Sequence, residues 1–464
     1  MKVDKSKLNA KQDAYGLDTE ALNDKLPEVA LPILGGVILR SQVKAVPAQS
    51  RYDLCEAQTF HIGSESRKRT KRALEWLSNP DRNGETFGMA GDKELLFAYP
   101  RILPKDKIQL TKMFGAQKDD SYQKEDKFER LAKSVINQLK GHGKEVSEAQ
   151  LEIFSLRKMD KARTKVIYYR NTSVDSLEKA SAVWHEGCQN IPSLSVKDWS
   201  EDKNEKTGKP YPITVEGLTA FPIKLHGYLN TVWKRDGKEK NKGEQAGKVR
   251  TFQPTDGLRL LLDTHNHLIA ANMIELFMQH AQGYFLTLCR STGKNKIASV
   301  PDKKIYPGIL GLLLFKLGKN KEDFMKESAF LLGRCLRISD EIHRLYCEVV
   351  RKNELPPELC GSSFLVSMME SPVTTLGQLA MRSAPYLKWA RGGSDKKDKD
   401  KLVWYWLKQW EQIADQLHKL TWPKRLTPEE RAQVFLGYLA SFPKSEKSNN
   451  NETDSDKTTK RGDE

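Results

Sequence analysis

The sequence predicts an α+β fold, a mixed α/β N-terminal half followed by an all-α C-terminal helical bundle, and three observations carry that expectation. Short β-branched and aromatic runs alternate with helical patterns as far as residue 233. From 234 to 250, KRDGKEKNKGEQAGKVR, the composition collapses to charge and glycine, as in a flexible linker. Beyond it no strand signal recurs, and apolar residues fall alternately three and four apart, the spacing that lines up one stripe of a helix. The expected organisation is an α/β body over 1–233, a charged linker over 234–250, connecting helices over 251–324, a bundle over 325–443 and a disordered polar tail over 444–464.

Residues 29–40, VALPILGGVILR, place Val, Ile and Leu around the Gly35-Gly36 break, as in a bent strand or two short ones. Ser64–Leu77, SESRKRTKRALEWL, offers a capping serine and carries Arg67, Lys68, Arg69, Lys71 and Arg72, with Leu74 and Leu77 as anchors. Clustered charge of one sign repels itself, so a phosphate backbone is the functional expectation there, against a merely solvated face. ELLFAY at 94–99 reads as a strand, and 118–140 as a charged helix anchored by Phe128, Leu131, Val135 and Leu139. LEIFSL at 151–156 and TKVIYY at 164–169 form a strand pair, with a helix over 173–186 packing back on them. Arg163 and Arg170 flank the second strand as further cationic candidates.

In the C-terminal half, 258–288 and 305–317 read as long helices. The pattern at 326–351, KESAFLLGRCLRISDEIHRLYCEVVR, has a seam of Leu331, Cys335, Ile338, Ile342, Leu345 and Val349 that requires a partner helix. Arg337, Arg344 and Arg351 recur every seven residues on another face, with Arg334 one turn earlier: a cationic ridge on the same rod. Glu341 and Glu348 follow Arg337 and Arg344 by four residues, so neutralisation within the helix is the competing reading. Thr375-Leu376-Gly377-Gln378 and Thr427-Pro428-Glu429-Glu430 have the form of capping boxes. Between them, 402–420 puts Val403, Trp406, Trp410, Ile413, Leu417 and Leu420 on one seam, leaving Trp404 or Tyr405, beside Lys401 and Lys408, as exposed stacking faces. Lys388 and Arg391, with Arg382 two turns earlier, make another candidate ridge. Four such helices form an antiparallel bundle.

The 464 residues carry 77 Lys and Arg against 61 Asp and Glu, a formal charge of +16, which favours polyanionic partners. No apolar run approaches a bilayer span, and the charged first residues do not read as a signal peptide, so the expectation is a cytoplasmic protein without membrane contact. Six cysteines occur without a C-x-x-C pair, which points to neither a zinc knuckle nor a disulfide framework. Asp263, His265 and His267 suggest a metal-dependent nuclease, but residues two apart on a helix point about 200° from each other. No phosphate-binding glycine loop or nucleophile elbow accompanies them, and the reading is of a non-enzyme without cofactor.

Several words of the sequence, in order, carry a resemblance to a known family. They are the Ala48-Gln49-Ser50 turn, the Ser64–Leu77 helix, residues 91–99, LRKMDKARTKVIYYRNTSVDSLEKA at 156–180, ESAFLLGRCLRISDEI at 327–342 and ERAQVFLGYLASF at 430–442. The chain resembles the large subunit of the type I CRISPR surveillance complex, Cascade, in its subtype I-C form, most sharply at the LLGR of residues 331–334. The resemblance implies a subunit bound to guide RNA and to the backbone and foot subunits. It implies that the subunit helps recognise the motif flanking the target, holds the unwound DNA and displaced strand, and precedes a recruited helicase-nuclease, while base pairing reads the sequence. It also implies a small-subunit-like bundle at the C-terminus, with Met325, or else Met273 or Met278, as an internal start. Relative to the family the chain begins near the middle, so recognition of the flanking motif passes either to the patch from Arg67 to Arg72 or to another subunit. Arg334, Arg337, Arg344, Lys388 and Arg391 would contact displaced DNA, and Arg67, Lys68, Arg69, Lys71 and Arg72 the target duplex or guide-RNA foot.

Overall fold

The computed structural model describes residues 12–18, 22–23, 28–38, 62–116, 127–160, 164–197, 212–215, 219–233, 246–248, 252–281, 305–352, 354–392 and 397–442. Arg163, the 48–50 turn and the tail from 444 lie outside them. The chain is mixed, with a four-stranded antiparallel sheet in the N-terminal half and mostly helices in the C-terminal half. It divides into two compact units that interleave in sequence: Met1–Trp184, Ala220–Gly227 and Phe252–Asn266 form the first, and His185–Thr219, Tyr228–Thr251 and His267–Glu464 the second.

In the first unit, 29–40 resolves into two short strands, β1 (Glu28–Leu31) and β2 (Gly35–Ile38). Their turn holds Ile33 at φ 53° and Gly35 at φ 68°, and only the glycine adopts that conformation without a Cβ penalty. Helix α1 spans Ser64–Leu77. The expected serine cap is absent: Ser64 is already helical, and the N-cap is Gly63. The Asp13 carboxylate takes over, accepting from the Gly63 amide at 3.0 Å and from the Ser66 hydroxyl. A charge at a helix N-terminus meets unpaired N–H groups there. Burial opposes its ionisation, but these bonds, with those from the Leu17 and Tyr15 amides, bring its pKa down to about 2.

The sheet is a meander of β3 (Phe87–Gly91), β4 (Glu94–Pro100), β5 (Gln150–Lys158) and β6 (Thr164–Ser173), paired in that order. Its register sets Phe97 opposite Phe154 and Phe154 opposite Tyr169. On one face Phe87, Leu95, Phe97 and Leu156 pack with Val29, Leu31, Leu34, Val37, Leu74 and Leu77, which fixes α1 over the sheet with its other side outward. The alternate residues Leu96, Ala98, Leu151 and Ile153 are equally buried on the opposite face. Helices α2 (Lys127–Gly141) and α3 (Val174–Cys188) meet through Phe128 and Trp184, whose indole N–H donates to the Ala220 carbonyl at 2.8 Å.

The single helix expected over 258–288 is broken. α4 (Pro254–Leu262) ends where Asp263 turns extended, at ψ 150°, and α5 (Asn266–His280) starts anew; residues 282–304 lie outside the described residues. The charged run at 234–250 falls within the second unit, where Thr231–Trp233 and Ala246–Lys248 pair antiparallel across it, although a linker between domains was the expectation from composition.

The second unit centres on α7 (Ser328–Val349), preceded by α6 (Ile305–Lys316). Around α7 pack α8 (Pro372–Arg391), α9 (Lys397–His418) and α10 (Pro428–Leu439), so the seam read at 331–349 does bury against partner helices. Helix α10 comes close to α7 at Gly333. A Cβ there would lie 2.0 Å from the Val434 carbonyl oxygen, and one on Gly437 would lie 2.1 Å from that of Phe330. The glycine of the LLGR word is therefore where α10 crosses α7. The Thr427–Glu430 capping box forms, with Thr427 N–H donating to Glu430 Oε2 at 2.8 Å. The one expected at Thr375 does not, because α8 begins earlier, at Pro372, and buries Thr375 in its first turn.

Candidate nucleic-acid interface

On α1 the anchors Ser66, Leu74 and Leu77 point inward, so Lys68, Arg69 and Arg72 are exposed and Arg67 and Lys71 half-buried. Two of the five cations meet acids of the same helix: Arg69 with Glu65 at 3.2 Å and Lys71 with Glu75 at 3.7 Å, exposed pairs of the kind worth under about 1 kcal/mol. Arg67 has a buried Nε without a hydrogen-bond partner. Lys68 and Arg72 have no carboxylate within 4.0 Å among the described residues. They stand one turn apart, and the next position in the same row is Trp76, whose ring is 39% exposed and lies 3.4 Å from the Arg82 guanidinium. Sequence reasoning saw the charge and missed the ring, although the four-residue spacing 68, 72, 76 would have revealed it. The result is an outward row of cation, cation and cation-capped indole.

The ridge expected on α7 is not available. Arg334 donates to the carbonyls of Ala440 and Ser441 at 2.9 and 2.8 Å and lies 3.4 Å over the Phe442 ring. It closes the C-terminus of α10, where unpaired carbonyls call for a cation. Burial lowers its pKa to about 10. Arg337 pairs with Glu341 at 2.9 Å, and Arg344 bridges Glu341 at 2.8 Å and Glu348 at 2.6 Å. Burial opposes the Arg344 charge, but the two carboxylates hold its pKa above the usual arginine value. These three arginines serve the bundle itself, which corrects the expectation that they reach displaced DNA.

Lys388 and Arg391 do stand exposed at the end of α8. Helix α9, which packs against α8, adds further cations. There Trp404 is 57% exposed, with Lys401 and Lys408 on its side of the helix, while Trp406 is buried edge-on to Phe442. Arg170 projects on the covered side of the sheet, half-buried, with a buried Nε lacking a hydrogen-bond partner and close enough to Tyr168 to act on its ionisation.

The Asp263, His265 and His267 cluster is not gathered. Asp263 accepts from the Tyr168 hydroxyl at 3.3 Å and closes α4. Among the described residues no three His, Cys, Asp or Glu side chains are placed to hold a metal, and no helix is long and apolar enough to cross a membrane. In the C-terminal bundle, Asp340 is wholly buried, accepting from the Tyr438 hydroxyl at 2.6 Å and from the Ser362 amide at 3.0 Å, and burial pushes its pKa up to about 6. His343, one turn on, accepts the Cys360 amide at Nδ1 and stacks on Tyr386 at 4.1 Å, and burial lowers it to about 4. This knot pins residues 359–362 to α7. No family model matches the chain, and no curated protein matches it significantly.

Proposed function

We propose that the chain is a non-catalytic, nucleic-acid-binding subunit of an RNA-guided surveillance complex of the Cascade type, acting as a large subunit that holds target DNA and stabilises the opened duplex. The observation that carries the reading is the outward row of Lys68, Arg72 and Trp76 on α1, charged, exposed and without an acidic partner among the described residues. Phosphates satisfy such cations and release counterions on doing so. The +16 net charge and the family-like words from residue 48 to 442 support the same reading. The exposed Lys388 and Arg391 on α8, with Lys401, Trp404 and Lys408 on α9, are suited to following a single strand, by charge and by stacking. Target recognition by guide pairing leaves the protein to read backbone and shape, and contacts of this kind suffice for that.

The experiment is to purify the full chain with its native assembly and sequence the RNA that accompanies it. One discrete guide species with constant flanks is expected. A heterogeneous pool would replace this reading with a general RNA-binding scaffold.

A further inference from the structure

The sheet of the first unit has a second surface that the α1 row does not use. Packing against β1, β2 and α1 covers Phe87, Leu95, Phe97 and Leu156, but the same face continues past them. There Tyr99 on β4, Phe154 on β5 and Tyr169 on β6 adjoin: Phe154 stacks on Phe97 at 4.8 Å, meets Tyr99 edge-on at 6.4 Å and stands opposite Tyr169. The row becomes more open toward the sheet edge, where Tyr169 and Val166 are each 60% exposed. An open ring on the edge strand, backed by two half-buried rings in register with it, offers a flat apolar face to something that stacks.

The polar rim indicates what that is. Glu152, beside Tyr169, accepts from Arg101 Nε at 2.6 Å and from Asn171 Nδ2 at 3.0 Å. The Tyr169 hydroxyl is a third donor to it, and these donors outweigh burial and keep the carboxyl below its ordinary pKa. An ionised carboxylate offers about four acceptor positions, so roughly one remains. Arg101, whose side chain is largely exposed beside the rings, supplies the cation of the rim.

We propose that Tyr169, with Phe154 and Tyr99 behind it, is a stacking platform for unpaired bases of single-stranded RNA. Arg101 would face the backbone and Glu152 would accept a ribose 2′-hydroxyl. Sheet aromatics stack bases whatever their identity, and the 2′-hydroxyl is the group that separates RNA from DNA at such a site. The platform does not depend on guided assembly, because it concerns rings and a carboxylate that the α1 row does not include.

The test is fluorescence anisotropy of the full chain with a uridine-rich oligoribonucleotide and with the same sequence as DNA, across a salt series. Tyr169→Ala should weaken RNA binding about 5- to 100-fold with an unchanged salt slope, because a ring and no charge is lost, and Tyr169→Phe should restore most of it. Glu152→Gln should narrow the preference for RNA. Photo-cross-linking of wild-type chain to 4-thiouridine RNA should label the peptide holding Tyr169, a readout that stands even where a variant folds poorly. Affinity within twofold of wild type for Tyr169→Ala, equal binding of DNA and RNA, or cross-links confined elsewhere would each overturn the proposal.

Discussion

Replacing Arg344 with Met removes a guanidinium but keeps most of the volume packed along α7. In the native chain that group bonds Glu341 at 2.8 Å and Glu348 at 2.6 Å, and the two acids expose only 8% and 14% of their side chains. Taking the cation away leaves two desolvated carboxylates that lose a charge-assisted bond each, with Arg337 still opposite Glu341. Breaking such a buried pair from one side costs about 3–5 kcal/mol, far more than the pair is worth against an apolar substitute. In urea, with a slope of about 1–3 kcal/mol per molar, the midpoint of the bundle's transition should fall by at least about 1 M. Arg344→Met with Glu348→Gln should recover part of the loss, because one stranded charge goes with the other. Unfolding followed by circular dichroism reads both. A midpoint shift below about 0.3 M, together with weakened DNA binding by the folded variant, would refute the assignment of Arg344 to the bundle and return it to the surface.

Two further outcomes follow from the same unit. Gly333→Ala sets a methyl 2.0 Å from the Val434 carbonyl oxygen, so α7 and α10 must separate; a loss of about 1–3 kcal/mol or more is expected in the same urea assay, and a neutral result would contradict the crossing described. The Asp340–His343 knot fixes a pH response. Folding raises the Asp340 pKa from 3.8 to about 6, so the folded state holds the extra proton in that window and stability falls as pH rises through it. Folding lowers the His343 pKa from 6.5 to about 4, so there the unfolded state holds the extra proton and stability rises with pH. The two slopes oppose each other, and wild-type stability should be nearly flat between those limits. His343→Gln, whose amide oxygen can still accept from Cys360 N–H, should expose the Asp340 slope, a fall on the order of 3 kcal/mol across its window by denaturation at several pH values. A variant profile as flat as wild type would remove the argument.

How much was legible depended on how local the cause was. Although the Asp13 carboxylate that replaces the expected serine cap was out of reach of local pattern, the bounds of α1 agree with the sequence because its apolar anchors lie within fourteen residues. The strand pair of β5 and β6 is equally local. The seam of α7 was readable from its spacing, and so was the chance that Glu341 and Glu348 would hold Arg337 and Arg344. What Arg334 does was not, since its partners Ala440 and Ser441 lie more than a hundred residues on. The long helix expected at 258–288 failed at Asp263, where a bond from Tyr168, on a strand ninety-five residues earlier, accompanies a break that propensity does not mark. The platform on β4 to β6 was hidden for a related reason: Tyr99, Phe154 and Tyr169 adjoin only once the register between strands is known.

The central claim is that α1 meets phosphate and the arginines of α7 do not, and the salt dependence of nucleic-acid binding tests it most directly. For the full chain, the slope of log affinity against log salt should drop by about 0.7 to 0.9 for each cation removed from contact. Lys68→Ala with Arg72→Ala should therefore flatten it by roughly 1.4 to 1.8, while Arg337→Met in a chain that remains folded should leave it unchanged. An unchanged slope for the α1 pair, or a flattened one for Arg337→Met, would contradict the account.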